Sequence, residues 1–441
     1  MTSSLAGDPF DALPAEPAAA ASWLVAALRG EADALADRAV EERVEATGRP
    51  ASSWRRQIAY WTPRLGAFRA MGDARLVRDR VELPIETERG RRYTVRCRLT
   101  EDGARVRGFF LARELPPGAT LRTATEADLA TLVAIEQATG IARGDGSRVT
   151  TSRGERFFDW VRLQGDCRVV LVEVDGAPAA CDAIAVRLAA YQGRPVRLFY
   201  RHHTRVLPGY RRLGLNEAMA GLLNLAALER PDVYGGYVYV DPQNTVIQEW
   251  SPTPAWRLRP FRALLDCRRL GGADAGRSAI PADATRIAAL LNAAHGSEEL
   301  YLAFDGPLLA DRLSRTPERY GFAQLRLGTR AVVGCFDAGE SVRVEDAAGA
   351  VVSARRRAHV LDYGFEGATG LDELEALLRA ECARLAATGT THLSLFSCDG
   401  APAATRLRAL ADEVIEVEFQ SWIAEPHDLP QRGLFVDPVY F

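Results

Sequence analysis

The run Val206-Leu207-Pro208-Gly209-Tyr210-Arg211-Arg212-Leu213-Gly214-Leu215-Asn216 joins a strand-like stretch to a helix-patterned segment. Its residue types and spacing suit one task, the gripping of a pyrophosphate. The first backbone N–H groups of a helix lack acceptors within the helix, and the helix dipole favours negative charge beside them. Arg211 and Arg212 add charge-assisted hydrogen bonds to the same anion. Just upstream stand His202 and His203, imidazoles that titrate near neutrality and can take a proton directly or through water. Behind the turn, Leu215, Met219, Leu222, Leu223 and Ala226 recur at helical spacing, so one face can seat the helix on a sheet.

The segment resembles the acyl-CoA-binding signature of the GNAT N-acyltransferase superfamily, a valine, a proline two residues on, an aromatic residue, then R-x-x-G-x and a small residue. Val206, Pro208, Tyr210, Arg211 and Gly214 carry the match, and Asn216 replaces the final small residue. The resemblance implies acyl transfer from acetyl-CoA, or another acyl-CoA, to an amine. It implies that backbone N–H groups near Val206 and Leu207 polarise the thioester carbonyl, where negative charge develops. Those of Arg211, Arg212, Leu213, Gly214, Leu215 and Asn216 would take the phosphates. Asn244, shortly after the next strand, stands where the family often has an asparagine against the cofactor arm. The family's usual acid, a tyrosine about seven residues later, is replaced by Ser251 beside Trp250. Tyr239 or Tyr200 can substitute, or the thiolate leaves without a proton donor.

For the base, the family often carries a carboxylate or histidine a few residues before the V-x-P, which points to His202 or His203, with Glu249 a weaker candidate. Strand alternation puts His202 on a face with Tyr200 and Thr204, and His203 with Arg201 and Arg205. Each histidine also has a plain reading as a satisfied sheet residue. Trp160, Tyr237, Trp250 and Trp256 are either core or the lining of an acceptor pocket.

The elements that must position these groups follow from the chain as a whole. Its 441 residues are 47% hydrophobic and 26% charged, enough for large cores and too many for one compact domain. A net charge of −3 gives no drive toward nucleic acid or an anionic membrane. All 55 basic residues are arginine, so lysine chemistry is excluded. The seven cysteines are scattered without C-x-x-C pairs, which argues against zinc or a disulfide framework and for no metal at all. Neither a secretory leader nor a membrane-length apolar run is evident, so a cytoplasmic protein is expected.

Residues 1–18 read as a disordered leader. Helices near 21–35 and 53–60, then strands near 74–81, 92–99 and 105–111, suggest a small α+β cone over 19–116. Its string from Gly66-Ala67-Phe68 through Tyr93-Thr94-Val95 to Gly108-Phe109-Phe110 is similar to cystatin-like, nuclear-transport-factor-like domains. Residues 117–270 give strand, helix, hairpin at Asp175-Gly176, strand 196–206, basic turn, helix and strand 237–240, the order of a GNAT domain. After a linker at 271–276, residues 277–426 repeat these elements as a second, degenerate GNAT-like copy. There the loop Gly364–Gly370 holds Glu366 and no arginine, unsuited to a pyrophosphate. Residues 427–441 form a tail. The fold class expected is therefore multidomain α/β (α+β), with mixed sheets.

The leading reading is an acyl-CoA-dependent N-acyltransferase that transfers acetyl to the amine of a small metabolite or peptide in a ternary complex. The alternatives are a non-catalytic CoA-binding scaffold, and an acyl-CoA hydrolase or decarboxylase on the same fold. Cone domains and paired copies tend to self-associate, which allows a homodimer.

Overall fold

The computed structural model describes residues 9–44, 51–228, 230, 233–240, 242, 260–421 and 434–436. They fall into two compact units. One holds the described residues up to Ala119 together with 211–228, and the other holds 120–210 and the described residues from 230 onward. The chain is mixed α/β, as its patterning predicts, and the strands of the described residues are gathered into three sheets.

In the first unit, helices Ala15–Leu28, Asp37–Arg43 and Ala51–Leu65 precede strands Arg75–Val77, Arg80–Thr87, Arg92–Leu99 and Val106–Arg113. The last three form an antiparallel meander, with Phe68–Ala70 pairing along the edge of Arg80–Thr87. Period-two burial builds the core. Val81, Leu83 and Ile85 alternate inward on one strand and Tyr93, Val95, Cys97 and Leu99 on the next, beneath Leu24, Leu28 and Ile58. The strand expected at 74–81 is split, because Arg78 adopts a left-handed φ of 59° and turns the chain into a hairpin.

Helix Leu215–Leu228 belongs to this unit and packs on strand Val106–Arg113. The approach is backbone to backbone, since a Cβ at Gly221 would lie 2.7 Å from the Ala112 Cα. Only glycine lets the helix come so close.

In the second unit, the first sheet runs Ala119–Thr123, Asp166–Val174, Ala177–Tyr191, Arg194–Val206, Val233–Val240 and Glu418–Ser421. The hairpin turn sits at Asp175-Gly176, both with positive φ. The second sheet runs Arg277–Ser278, Leu325–Leu327, Ala331–Glu345, Val351–Phe365, His392–Cys398, Pro260–Asp266 and Glu413–Glu416. Strand Pro260–Asp266 lies within 117–270 by sequence, yet it pairs with His392–Cys398. Strand Glu418–Ser421, from the end of the chain, pairs instead with Val233–Val240. Each sheet is thus completed by a strand from the other's stretch of sequence.

The two sheets also begin alike. Arg122 makes paired bonds to Asp128 at 2.9 and 2.7 Å, while Asp128 accepts from the Thr125 N–H. Arg277 and Asp283 repeat this at 2.7 and 2.6 Å, with the Ile280 N–H donating to Asp283. In each case an aspartate caps a short helical turn and an arginine fork fixes the carboxylate.

Replacing Gly221 by Val is expected to cost about 1–3 kcal/mol through overpacking. A urea titration checks this, and an unchanged midpoint would mean that the helix is not seated on Ala112.

Candidate functional site

Strand Arg194–Val206 pairs antiparallel with Ala177–Tyr191 along its whole length. Its other edge pairs in parallel with Val233–Val240 only from Arg197 to Tyr200. Among the described residues no pairing continues on that side from Arg201 to Val206, so the parallel pair opens into a gap. The Leu207 N–H donates to Ala179 O at 2.9 Å and is not available to a ligand. This corrects the expected role of Leu207. Because successive N–H groups of a strand point to opposite edges, that of Val206 is directed toward the gap.

A bulge shapes the end of the strand. Cys181 faces Arg205 and Ala183 faces His202, so His203 and Thr204 together oppose Asp182. His203 has a left-handed φ of 62°. Asp182, fully buried, accepts from Arg201 Nε and Thr204 Oγ1, each at 2.8 Å, and from the Ala183 N–H at 3.0 Å. Arg201 and Thr204, which strict alternation puts on opposite faces, reach one carboxylate. The bulge breaks the period-two reading at this point.

His203 is held from both sides. Arg153 donates from NH1 to Nδ1 at 2.9 Å, and Glu136 Oε1 lies 3.1 Å from Nε2. A guanidinium can only donate, so Nδ1 is the acceptor and the proton resides on Nε2, facing Glu136. Burial pushes this imidazole down to about 4, against the opposing pull of Glu136. Burial alone would raise the Glu136 carboxyl, but His203 and Arg153 hold it below the usual range. With both nitrogens engaged, His203 is ill placed to serve as a base.

His202 is half-buried and stacks on Tyr200, ring centroids 5.0 Å apart and planes within 5°. Its Nε2 lies 4.0 Å from Cys167 Sγ. Burial, reinforced by His203, Arg153 and Arg205, pushes it well below its ordinary value rather than leaving it near neutrality. It is therefore neutral at pH 7, able to accept a proton but weakly basic. Tyr239 packs against Tyr237, Phe419 and Tyr200 with centroids 5.5, 5.5 and 5.8 Å apart. Trp160 is core, with Arg153 over its ring at 4.9 Å and the His359 ring 5.3 Å away. His359 in turn bonds Glu340 at 2.9 Å, beside Arg357 Nε at 2.6 Å. This second buried cluster carried no distinct sequence signal.

The chain passes from one unit to the other between Tyr210 and Arg211. Pro208–Tyr210 form a short helical turn, closed by Tyr210 N–H to Leu207 O at 2.9 Å. Arg212 and Gly214 both have left-handed φ, 74° and 80°. The first helical bond runs from Ala218 N–H to Gly214 O, so the N–H groups of Leu215 and Glu217 precede the intrahelical ladder. Arg211, Arg212 and Leu213 are exposed, and no described carboxylate pairs with either arginine. In the second sheet, Glu366 alone separates strand Val351–Phe365 from helix Gly367–Ala387, leaving no comparable turn. Asn244, Glu249, Trp250, Ser251 and Trp256 lie outside the described residues.

No family model and no curated protein matches the chain. Among solved structures it is similar to N-myristoyltransferase from Saccharomyces cerevisiae with bound myristoyl-CoA and inhibitors, with a TM-score of 0.51 at 11% identity, over 71% of this chain and 82% of that one. A second structure of that protein with bound myristoyl-CoA gives a TM-score of 0.50 at 11% identity, over 69% and 79%. A GCN5-related N-acetyltransferase from Sphaerobacter thermophilus gives 0.44 at 15% identity, over 71% and 99%. At these identities the likeness is one of fold, shared with N-myristoyltransferase. Among the described residues no helix is long and apolar enough to cross a membrane.

The two histidines predict a pH response. His203 and His359 are each pushed from 6.5 to about 4 in the fold, so the unfolded chain binds more protons between those values. Stability is expected to fall as pH drops from about 6.5 toward 4, opposed by His295, whose imidazole is raised despite its burial by Glu298. Denaturant midpoints at several pH values check this. The slope should shrink in His359→Gln, and an unchanged slope would remove His359 from the account.

Proposed function

We propose that this chain is an acyl-CoA-dependent N-acyltransferase that moves an acetyl group to the amine of a small metabolite or peptide. The observation that carries the reading is the opening of the parallel strand pair after Tyr200, followed in the chain by an arginine-bearing turn and a helix N-terminus. A gap between strands frees backbone donors for a carbonyl, and the turn offers N–H groups and guanidiniums for phosphates. The likeness in fold to an enzyme crystallised with myristoyl-CoA supports an acyl-CoA as co-substrate.

In this reading the Val206 N–H polarises the thioester carbonyl. The N–H groups from Arg211 to Asn216, with the Arg211 and Arg212 side chains, take the pyrophosphate, and Asn244 contacts the cofactor arm. His202 is the base, neutral at pH 7 and so ready to accept a proton. Tyr239 is the candidate acid for the leaving thiolate. Residues 277–426, expected as a second, degenerate GNAT-like copy, then hold no coenzyme, because their strand-to-helix turn lacks both length and arginine. The engagement of both His203 nitrogens favours one second reading, a module that binds acyl-CoA and transfers poorly.

Calorimetric titration with acetyl-CoA and longer acyl-CoAs tests the proposal. One site per chain is expected, with acetyl-CoA bound and the Arg211→Glu, Gly214→Val double variant blank. Absence of binding to every acyl-CoA would sink it. Two sites would overturn the reading of the second copy. His202→Gln is expected to lower the amine-dependent rate on the order of a hundredfold, while thiol release that needs no amine would point to hydrolysis.

A further inference from the structure

The helix that follows the basic turn begins with a carboxylate, Glu217, and this is awkward for an anion site. A negative charge in the first turn suits the helix dipole, but it competes with any phosphate bound at the same end. Glu217 is only 8% exposed, so water does little to screen it. Both of its oxygens are occupied from the sheet on which the helix sits. Tyr93 donates its hydroxyl to Oε1 at 2.8 Å, and Arg113 NH1 donates to Oε2 at 2.9 Å. Tyr93 is fully buried in the core of that sheet, and burial together with Glu217 pushes its hydroxyl up to about 12, so it remains a donor.

Arg113 also touches the turn itself. Its guanidinium occupies the space that a Cβ at position 214 would fill, and it therefore lies directly on the Gly214 backbone. Gly214 is required twice over, by its φ of 80° and by this contact. One arginine thus neutralises Glu217 and braces the residue from which the helix departs. Both partners come from residues far away in sequence, on strands Arg92–Leu99 and Val106–Arg113.

We propose that Arg113 is a positioning residue for the coenzyme turn, and that the N-terminal sheet serves to cancel the Glu217 charge and to hold Gly214 in its left-handed conformation. This rests on the coenzyme reading above. It gives the N-terminal sheet a defined part in binding, through one ion pair and one hydrogen bond.

The test is a double-mutant cycle on the full chain, using Arg113→Gln and Glu217→Gln with coenzyme A titrated calorimetrically, and hydrogen exchange read at residues 211–218. Arg113→Gln alone leaves Glu217 uncompensated and is expected to weaken coenzyme A on the order of tenfold, with faster exchange in the turn. Adding Glu217→Gln should restore most of the affinity, because the repelling charge is gone. A merely structural role would lower the melting temperature of both single variants without this rescue. Unchanged affinity and exchange in Arg113→Gln, with the parent chain binding normally, would overturn the proposal while leaving the coenzyme reading intact. A parent chain that binds no coenzyme A would overturn the coenzyme reading, and the role of Arg113 with it.

Discussion

The candidate site depends on how strand Arg194–Val206 divides its hydrogen bonds. Along one edge the ladder is complete to Val206, and Leu207 extends it by one more bond. Along the other it stops at Tyr200. Just beyond that point the bulge at His203 and Thr204 inserts extra backbone into the strand while its pairing with Ala177–Tyr191 continues. A bulky residue in the left-handed region costs about 1–3 kcal/mol and persists only where its surroundings hold it. Here they do so through Asp182, which ties Arg201 to Thr204 across the bulge, and through Glu136 and Arg153, which grip the His203 ring.

These tethers are buried charges, and their value lies in geometry more than in stability. Removing each ion from water costs several kcal/mol, which a well-placed partner only returns. Loss of one partner would leave the other stranded, so the arrangement resists drift. The same tethers decide which imidazole can do chemistry. Arg153 fixes the tautomer of His203 and Glu136 faces its only proton, so the residue that shapes the bulge is the one removed from proton transfer. His202, stacked on Tyr200, has no comparable ties among the described residues and stays neutral through burial.

What was legible in the sequence is what local pattern can encode. The Asp175-Gly176 hairpin and the helix after the basic turn both announce themselves through turn chemistry or periodicity. The strand exchange does not. Pro260–Asp266 and Glu418–Ser421 carry no sign of it, since nothing in a strand's sequence names a partner that is far along the chain. The bulge was hidden for another reason, since it is built on histidine and threonine instead of the glycine that usually marks one. Arg113 and Tyr93 were equally silent, one arginine among many and one aromatic in a core-facing row, until the fold set them against Glu217.

The two sheets of the second unit show what the proposed anion turn would require. Both open on the same arginine–aspartate fork, both carry a long antiparallel hairpin, and both send the second strand of that hairpin into a helix. They part company at that step. After Val206 the chain spends residues 207–214 before its helix begins, and it exposes two arginines there. After Phe365 only Glu366 intervenes. The Glu366 N–H is bonded to Arg330 O at 3.0 Å, and a Cβ at Gly370 would lie 2.7 Å from that same oxygen. Substituting arginine for Glu366 would correct the charge and nothing else, because the backbone is packed down where an anion would have to enter. Length of turn, set by how far the helix stands from the strand's end, is thus the prior condition, and charge acts only once there is room.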